Sequence, residues 1–549
     1  GGTWGTAGNW SGDTVATGSG STADFNTLNI TADTTVNLDS SRTIGNLIFG
    51  DTDTASAAGW TLTGNALTLA GTTPTVTVNA LGDTKTATIS APVYGSAGLT
   101  KSGDGTLILT GANSYSGSTT ISGGTLQVSG QSYFNIGRTA TVASGAVFEL
   151  NNSNNTFTSL MPVSTVAGAG TFRLSGNSTI NQDLNGVTGT RLTIAMLSGG
   201  LIDLQDTSRL TNGGWQELNW TGNLADMNIA SGATFDVWDG QDVIIDALTG
   251  SGTVDKVHGG NSPRLLKVGV DNGSGDFSGT IQNTGGQITL TKAGTGTQTL
   301  SGTNSYSGDT TVENGTLNIA SGGSLRFFPT TDGQTNSLSG SETATLSYLG
   351  TVDLDLSAAD TTDGNLWTLV DVGSFSGPLP TLTPAAVTST LGSFGETSPG
   401  SGIWELSTPV DKWTFTEDDG TLTYEVTATD YEIWGMPYGL TAGSEGLDFD
   451  NDGVTNFEEY AFGLTPNSGA SVNPIATLLD KSNGTFSYTR RTDSGLTYSV
   501  WFSENLADWT EDTGVTEGTP VANGDNETVE VTLSVDPLPA KLFIQVRAD

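Results

Sequence analysis

Cysteine is absent from the 549 residues, so there is no disulfide framework, thiol nucleophile or Cys-ligated zinc site. Histidine occurs once, at His258, which excludes a multi-histidine metal site and argues against a Ser/His/Asp triad. Basic residues are scarce: 18 Lys and Arg stand against 57 Asp and Glu, a net charge of −39. A chain this acidic repels nucleic-acid phosphate and anionic lipid, and neither is an expected partner. No run of about 18 apolar residues occurs, so no helical membrane insertion is expected. Proline is limited to 16 and Gly has no period of three, which excludes collagen.

What is abundant is Gly, 76 residues, together with Thr, Ser and Asn. Twelve Trp argue against disorder, because disordered chains are poor in aromatics. The first residue is Gly1 and not Met, which fits a mature secreted protein whose signal peptide has been removed. Residues 1–335 carry 12 basic and 24 acidic residues, and residues 336–549 carry 6 and 33. That asymmetry points to at least two differently built regions.

Residues 1–335 read as short strands of period two, such as Thr61-Leu62-Thr63 and Thr75-Val76-Thr77-Val78, punctuated by turns. Residues 99–130 and 290–321 align without a gap, with 18 of 32 positions identical. Shorter echoes begin at Ala143, Ala230 and Ala320. Such units cannot bury their apolar side alone and need a neighbour above and below. The reading is a β-solenoid over 1–335, with coils of roughly 20–30 residues. Leu109, Ile121, Leu126 and Val128 would point inward, as would Leu300, Val312, Leu317 and Ile319 in the second copy. Gly117, Gly123 and Gly124 would supply positive φ at corners. An array of β-sandwiches is the alternative.

The phrase NSYSGxTT…GTL preceded by LTKxGxGT resembles the autotransporter-associated β-strand repeat of secreted bacterial passengers. The opening Trp4-Gly5-Thr6-Ala7-Gly8-Asn9-Trp10 is also similar to that of large secreted proteins with such repeats. The resemblance implies export by a bacterium, a right-handed parallel β-helix and an extracellular or cell-surface location. Unlike that family, the chain shows no C-terminal run of about a dozen membrane strands, which points to another export route.

Residues 336–430 read as the last coils and a β-rich cap, since a solenoid end exposes an unpaired edge. Residues 431–469 form a linker with a calcium-binding loop, and residues 470–549 a small antiparallel β-sandwich. The loop is residues 448–459. Asp448, Asp450 and Asp452 stand at positions 1, 3 and 5, Gly453 at 6, Val454 at 7 with its carbonyl, Asn456 at 9 and Glu459 at 12. Calcium needs six to eight oxygens, and this spacing wraps them around one point. The flanks make poor helices, so the loop resembles the dockerin or thrombospondin type 3 kind. A structural clasp holding Ca²⁺ is expected, against a plain solvated acidic turn.

Other candidates are weaker. Lys256, His258, Arg264 and Lys267 form a basic cluster that would suit a polysaccharide lyase; surface salt bridging is the simpler account. Asp255 and Asp271 are nearby in sequence, and Asp353 and Asp355 share one strand side. Trp215 and Trp220 would stack on sugar rings, or close a solenoid bend. Three function classes follow. The favoured one is an extracellular structural protein, a subunit assembling head to tail into a homopolymeric fibre through solenoid ends or terminal strands such as residues 541–546. The alternative is a cell-surface adhesin that binds polysaccharide. A lyase comes third, and no catalytic residue or organic cofactor is expected.

Overall fold

The computed structural model describes all residues except 130–134, 137–138, 152–155, 158–163, 181–191, 214–217, 259, 261, 376–379, 471–472 and 493. The chain divides into two compact units. Unit 1 comprises residues 1–361, 365–406 and 414–423, and unit 2 comprises residues 362–364, 407–413 and 424–549.

Unit 1 is a parallel β-helix. The apolar/polar alternation of each short strand puts one row of side chains inside, and the turns send the chain round to the next face. One winding shows the order: Ala87–Ile89 on the first face, Val93–Gly95 on the second, Leu99–Ser102 on the third, then Thr106–Leu109 back on the first. The first face is one uninterrupted parallel ladder of 16 strands, from Gly2–Thr3 to Thr381–Leu382. Leu107, Leu126, Phe148, Phe172, Ile202 and Met227 stand in register along it, one per winding, and all are buried. Each such side chain gains roughly 2 kcal/mol from leaving water, but only when the next winding covers it.

The second face runs through three successive sheets of five, six and five strands. The third face has eight strands from Thr22–Asp24 to Thr193–Met196, stops, and resumes with five from Val243–Ile244 to Leu338–Ser339. All eight residues expected to point inward are buried. Of the three corner glycines, only Gly124 has positive φ, at +59°. The Gly117 expectation needs a different reason: a Cβ there would collide with the backbone of Ala97 and Gly98. Gly123 has neither constraint, its nearest neighbour being 3.5 Å from a Cβ.

The twin repeats owe their sequence to three polar devices. Lys101 is fully buried, and its Nζ donates to the carbonyls of Ser102, Gly103 and Gly123 at 2.9, 2.8 and 3.0 Å. Lys292 repeats this on Ala293, Gly294 and Asn314. An ammonium has three donors, so three carbonyls satisfy it inside the fold. Asn304 accepts from Ile281 N and donates to the carbonyls of Gly302 and Ser324, bonding to the windings before and after its own. Tyr115 and Tyr306 fill the core and bond Thr119 and Thr310 through their hydroxyls at 2.8 and 2.6 Å. Burial pushes both phenols well above their usual range. Elsewhere Gln298 bonds both backbone groups of Leu248, reaching past Gly275 of the intervening winding.

The first winding is closed by aromatics. Trp4 meets Trp10 and Phe25 edge-on at 4.9 and 5.9 Å, and Phe25 stacks on Phe49 at 5.4 Å. The indole N–H of Trp10 donates to Trp4 O, and that of Trp4 to Ala16 O. After the last winding, antiparallel pairs take over: Leu366–Thr368 with Thr421–Thr423, and Gly395 and Glu396 with Glu405 and Trp404.

Unit 2 contains two short helices and a sandwich. Helix α1 (Asp430–Gly435) and helix α2 (Asn456–Phe462) each begin with a capping box, Thr429 with Glu432 and Thr455 with Glu458. Tyr431 and Trp434 pack on Tyr460 at 5.6 and 5.4 Å. One sheet holds Ile475–Asp480, Thr485–Arg491, Asn526–Thr532 and Thr516–Glu517; the other holds Thr510–Glu511, Tyr498–Ser503 and Phe543–Ala548. The final strand therefore begins and ends two residues later than the expected 541–546. Phe486, Tyr488, Val500, Val529 and Val531 form the core, and Ala461 and Phe462 of α2 join it. No helix of the described residues is long and apolar enough to cross a membrane.

Candidate metal centre

The acidic loop lies wholly in unit 2, between α1 and α2. Carboxylate oxygens of Asp448, Asp450 and Asp452 lie within 4.8 Å of one another. Local chemistry folds the loop this way. Asp448 accepts the N–H groups of Asp452 and Gly453 at 3.1 and 2.8 Å, and Asp452 accepts that of Val454 at 2.9 Å. Asn451 and Gly453 take positive φ, +61° and +95°, so the chain turns back on itself.

Glu459 comes from the second turn of α2 and is 0% exposed. Neither of its carboxylate oxygens has a hydrogen-bond partner, and the same holds for both oxygens of Asp450 and for Asp452 Oδ2. Burial pushes the Glu459 carboxyl up to about 7, and the charges of Asp450, Asp452 and Asp448 push in the same direction. Buried carboxylates are normally paired or hydrogen-bonded. Here three aspartates converge, Glu459 feels the charge of all three, and their free oxygens are hard donors of the kind a calcium-sized cation takes.

Asn456, expected at the ninth position, is turned to the backbone. Its Oδ1 accepts from Phe449 N at 3.1 Å and its Nδ2 donates to Ser444 O at 2.7 Å. Ser444 Oγ in turn bonds the Tyr431 hydroxyl at 2.9 Å. Asn456 thus locks the loop to the segment after α1. Helix α1 and this lock carried no sequence signal beyond the Thr429–Glu432 spacing.

The basic cluster is committed to the scaffold. Lys256 is fully buried, with Nζ on Asp239 Oδ1, His258 O and Gly260 O at 2.8, 2.9 and 3.1 Å. Arg264 Nη2 donates to Asp239 O at 2.9 Å, and Lys267 pairs with Glu313 at 2.7 Å. His258 packs against Trp238. Asp255 holds Gln282 and Thr284, Asp271 donates its backbone N–H to Asp246, Asp353 pairs with Arg326, and Asp355 accepts from Ser357. Lys256 and Arg264 therefore meet at Asp239 and are engaged by it, while Lys267 is held separately by Glu313. Trp215 lies outside the described residues. Trp220 is 1% exposed, and its indole N–H donates to Asn212 at 3.1 Å, so it closes a solenoid bend and does not present an open stacking face.

Comparison with known proteins agrees with the repeats. The passenger-associated-transport-repeat family matches residues 99–128 and 290–319. The chain is 34% identical over 204 residues to the adhesin BmaC autotransporter of Brucella suis biovar 1 (strain 1330), a stretch covering 37% of this chain and 6% of that relative. No solved structure matches. Carrying these repeats on a parallel β-helix, and similar to an autotransporter adhesin, the chain is a secreted or cell-surface bacterial protein.

Proposed function

We propose that this chain is a surface adhesin segment, a non-enzymatic β-helix that presents binding surface outside the cell. The unbroken 16-strand ladder carries the reading: it makes a rigid support from windings that each need their neighbour. Similarity to the Brucella adhesin favours adhesion over the fibre subunit expected from the sequence. Lys256, Arg264 and Lys267 are each held by carbonyl or carboxylate groups of the scaffold, which counts against the lyase reading. The test is adhesion of beads coated with the full chain to cultured epithelial cells and to polysaccharide-coated plates. Retention no better than albumin-coated beads on every surface would reject the reading.

A fibre remains the second reading, on one observation. Phe543–Ala548 pairs with Tyr498–Ser503 on one side and stands at the edge of its sheet. An edge strand is a template for another chain. Sedimentation velocity of the full chain across a concentration series tests it; a single monomeric boundary at all concentrations would exclude it.

The acidic loop supplies a calcium clasp within unit 2. Asp448, Asp450, Asp452 and Glu459 would hold the ion, with the Val454 carbonyl, and the ion would neutralise the repulsion that now falls on Glu459. Calcium titration of the chelator-treated chain by calorimetry is expected to show one site of about 10⁻⁴–10⁻³ M, the range of extracellular modules. An identical heat trace from Asp450→Ala would reject it.

A further inference from the structure

The third face of the β-helix is broken at one place. Its first sheet ends at Thr193–Met196 and its second begins at Val243–Ile244. Among the described residues, the intervening winding adds the bridge between Thr193 and Asn219 and a bond from Leu224 N to Met196 O across the gap. The Asn223 side chain stands in for the missing ladder, accepting from Met196 N at 3.3 Å and donating to Ile244 O at 2.8 Å. The ladder opens there into a cleft of about 480 Å³, lined by Trp220, Thr221, Gln241, Asp242, Ile244 and Arg264. That volume lies in the range of small-molecule sites.

The approach to this cleft is strained. Trp238 adopts φ +45°, a region that bulky residues avoid, and Asp236 holds it there through the Trp238 N–H at 3.0 Å. Gly240 follows, so close to the Asn212 carbonyl that a Cβ would not fit. A solenoid of regular windings needs no such turn, and repeat folds carry function at sites where the regular pattern is interrupted.

The groups at the wall define the ligand. Arg264 Nε–H is buried and has no hydrogen-bond partner, while its Nη1 and Nη2 are held by the carbonyls of Pro263 and Asp239. Asp242 Oδ1 accepts from Leu265 N at 3.3 Å, and the side chain is otherwise solvent-facing. Gln241 adds an amide and Thr221 a hydroxyl. Ile244 supplies hydrocarbon. A net charge of −39 and the Asp242 carboxylate disfavour an anion, and Arg264 disfavours a cation. A neutral ligand whose hydroxyls both donate and accept, with C–H faces between them, satisfies all of these groups.

We propose that this cleft binds a neutral sugar residue of a surface polysaccharide. The proposal rests on the adhesin reading and names its ligand class. The test is saturation-transfer NMR on the full chain with maltohexaose, cellohexaose, mannohexaose and chitohexaose, and with hexagalacturonate as the acidic counterpart. At least one neutral probe is expected to bind, and Asp242→Ala and Gln241→Ala, checked for native circular dichroism, are each expected to weaken it about tenfold. Binding of none of the neutral probes, binding of hexagalacturonate alone, or unchanged binding in both variants would overturn the proposal. The bead assay with Asp242→Ala separates the two readings. Adhesion without sugar binding removes the cleft and keeps the adhesin; sugar binding without adhesion does the reverse.

Discussion

The ammonium of Lys101 lies 3.0 Å from the carbonyl oxygen of Gly123, one winding further along the helix. The same nitrogen holds Ser102 and Gly103 of its own winding, so one buried charge ties two consecutive turns of the chain together. Lys292 does so again in the second repeat, reaching Asn314 at 3.3 Å.

Replacing Lys101 by Met keeps the volume and removes all three donors. The carbonyls are left without this partner in a dry interior, at a cost of about 2 kcal/mol. The urea midpoint of the β-helix, followed by circular dichroism, is expected to fall, and Lys292→Met to act alike. An unchanged midpoint would show that water replaces the ammonium.

Two adjacent glycines should respond in opposite ways. Gly124 has φ +59° and would place a Cβ 2.6 Å from the Gly103 carbonyl, so Gly124→Ala is expected to cost on the order of 1–3 kcal/mol. Gly123→Ala meets its first neighbour only at 3.5 Å and should leave thermal stability nearly unchanged. Equal losses at both sites would contradict the corner geometry.

Glu459→Gln should change sign with calcium. Without the ion it removes a buried charge facing three aspartates and raises the melting temperature of unit 2. With calcium it removes a ligand, and affinity by calorimetry is expected to drop at least about tenfold. A loss of stability in chelator as well would mean that Glu459 has an anchoring role of its own.

The pH dependence follows from the same residue. In chelator its folded carboxyl titrates at about 7, above the ordinary value of 4.5. The folded state therefore binds the proton more tightly than the unfolded state, and this stabilising contribution is complete below about 4.5 and lost as pH rises through 7. The unit 2 melting temperature should fall over that interval in chelator. Saturating calcium should remove the fall, measured against Glu459→Gln at each pH.

The alternation of Leu, Val and Thr was enough to read a stacked β architecture, because a period of two assigns each side chain to the inside or the outside of a strand. The twin repeats showed that the units stack, and all eight inward residues named from them are buried. The acidic turn was visible too, since its carboxylate positions are local in sequence, and three of those carboxylates do come together. Asn456 was not legible: its spacing fits a ligand, but the backbone of Phe449 and Ser444 takes its amide. Charge misled at Lys256, read as surface salt bridging, and gave no hint that Lys101 and Lys292 are also buried.

Sequence alone determined the strand pattern, the repeat and the spacing of the loop's carboxylates, all of which depend on residues close along the chain. Tertiary structure decided which carbonyls meet a buried lysine, where the third face breaks and which tryptophan is enclosed. Those outcomes depend on contacts between residues one winding apart, roughly 20–30 positions away. The distance between such partners is set by how each turn bends, and no local pattern records it.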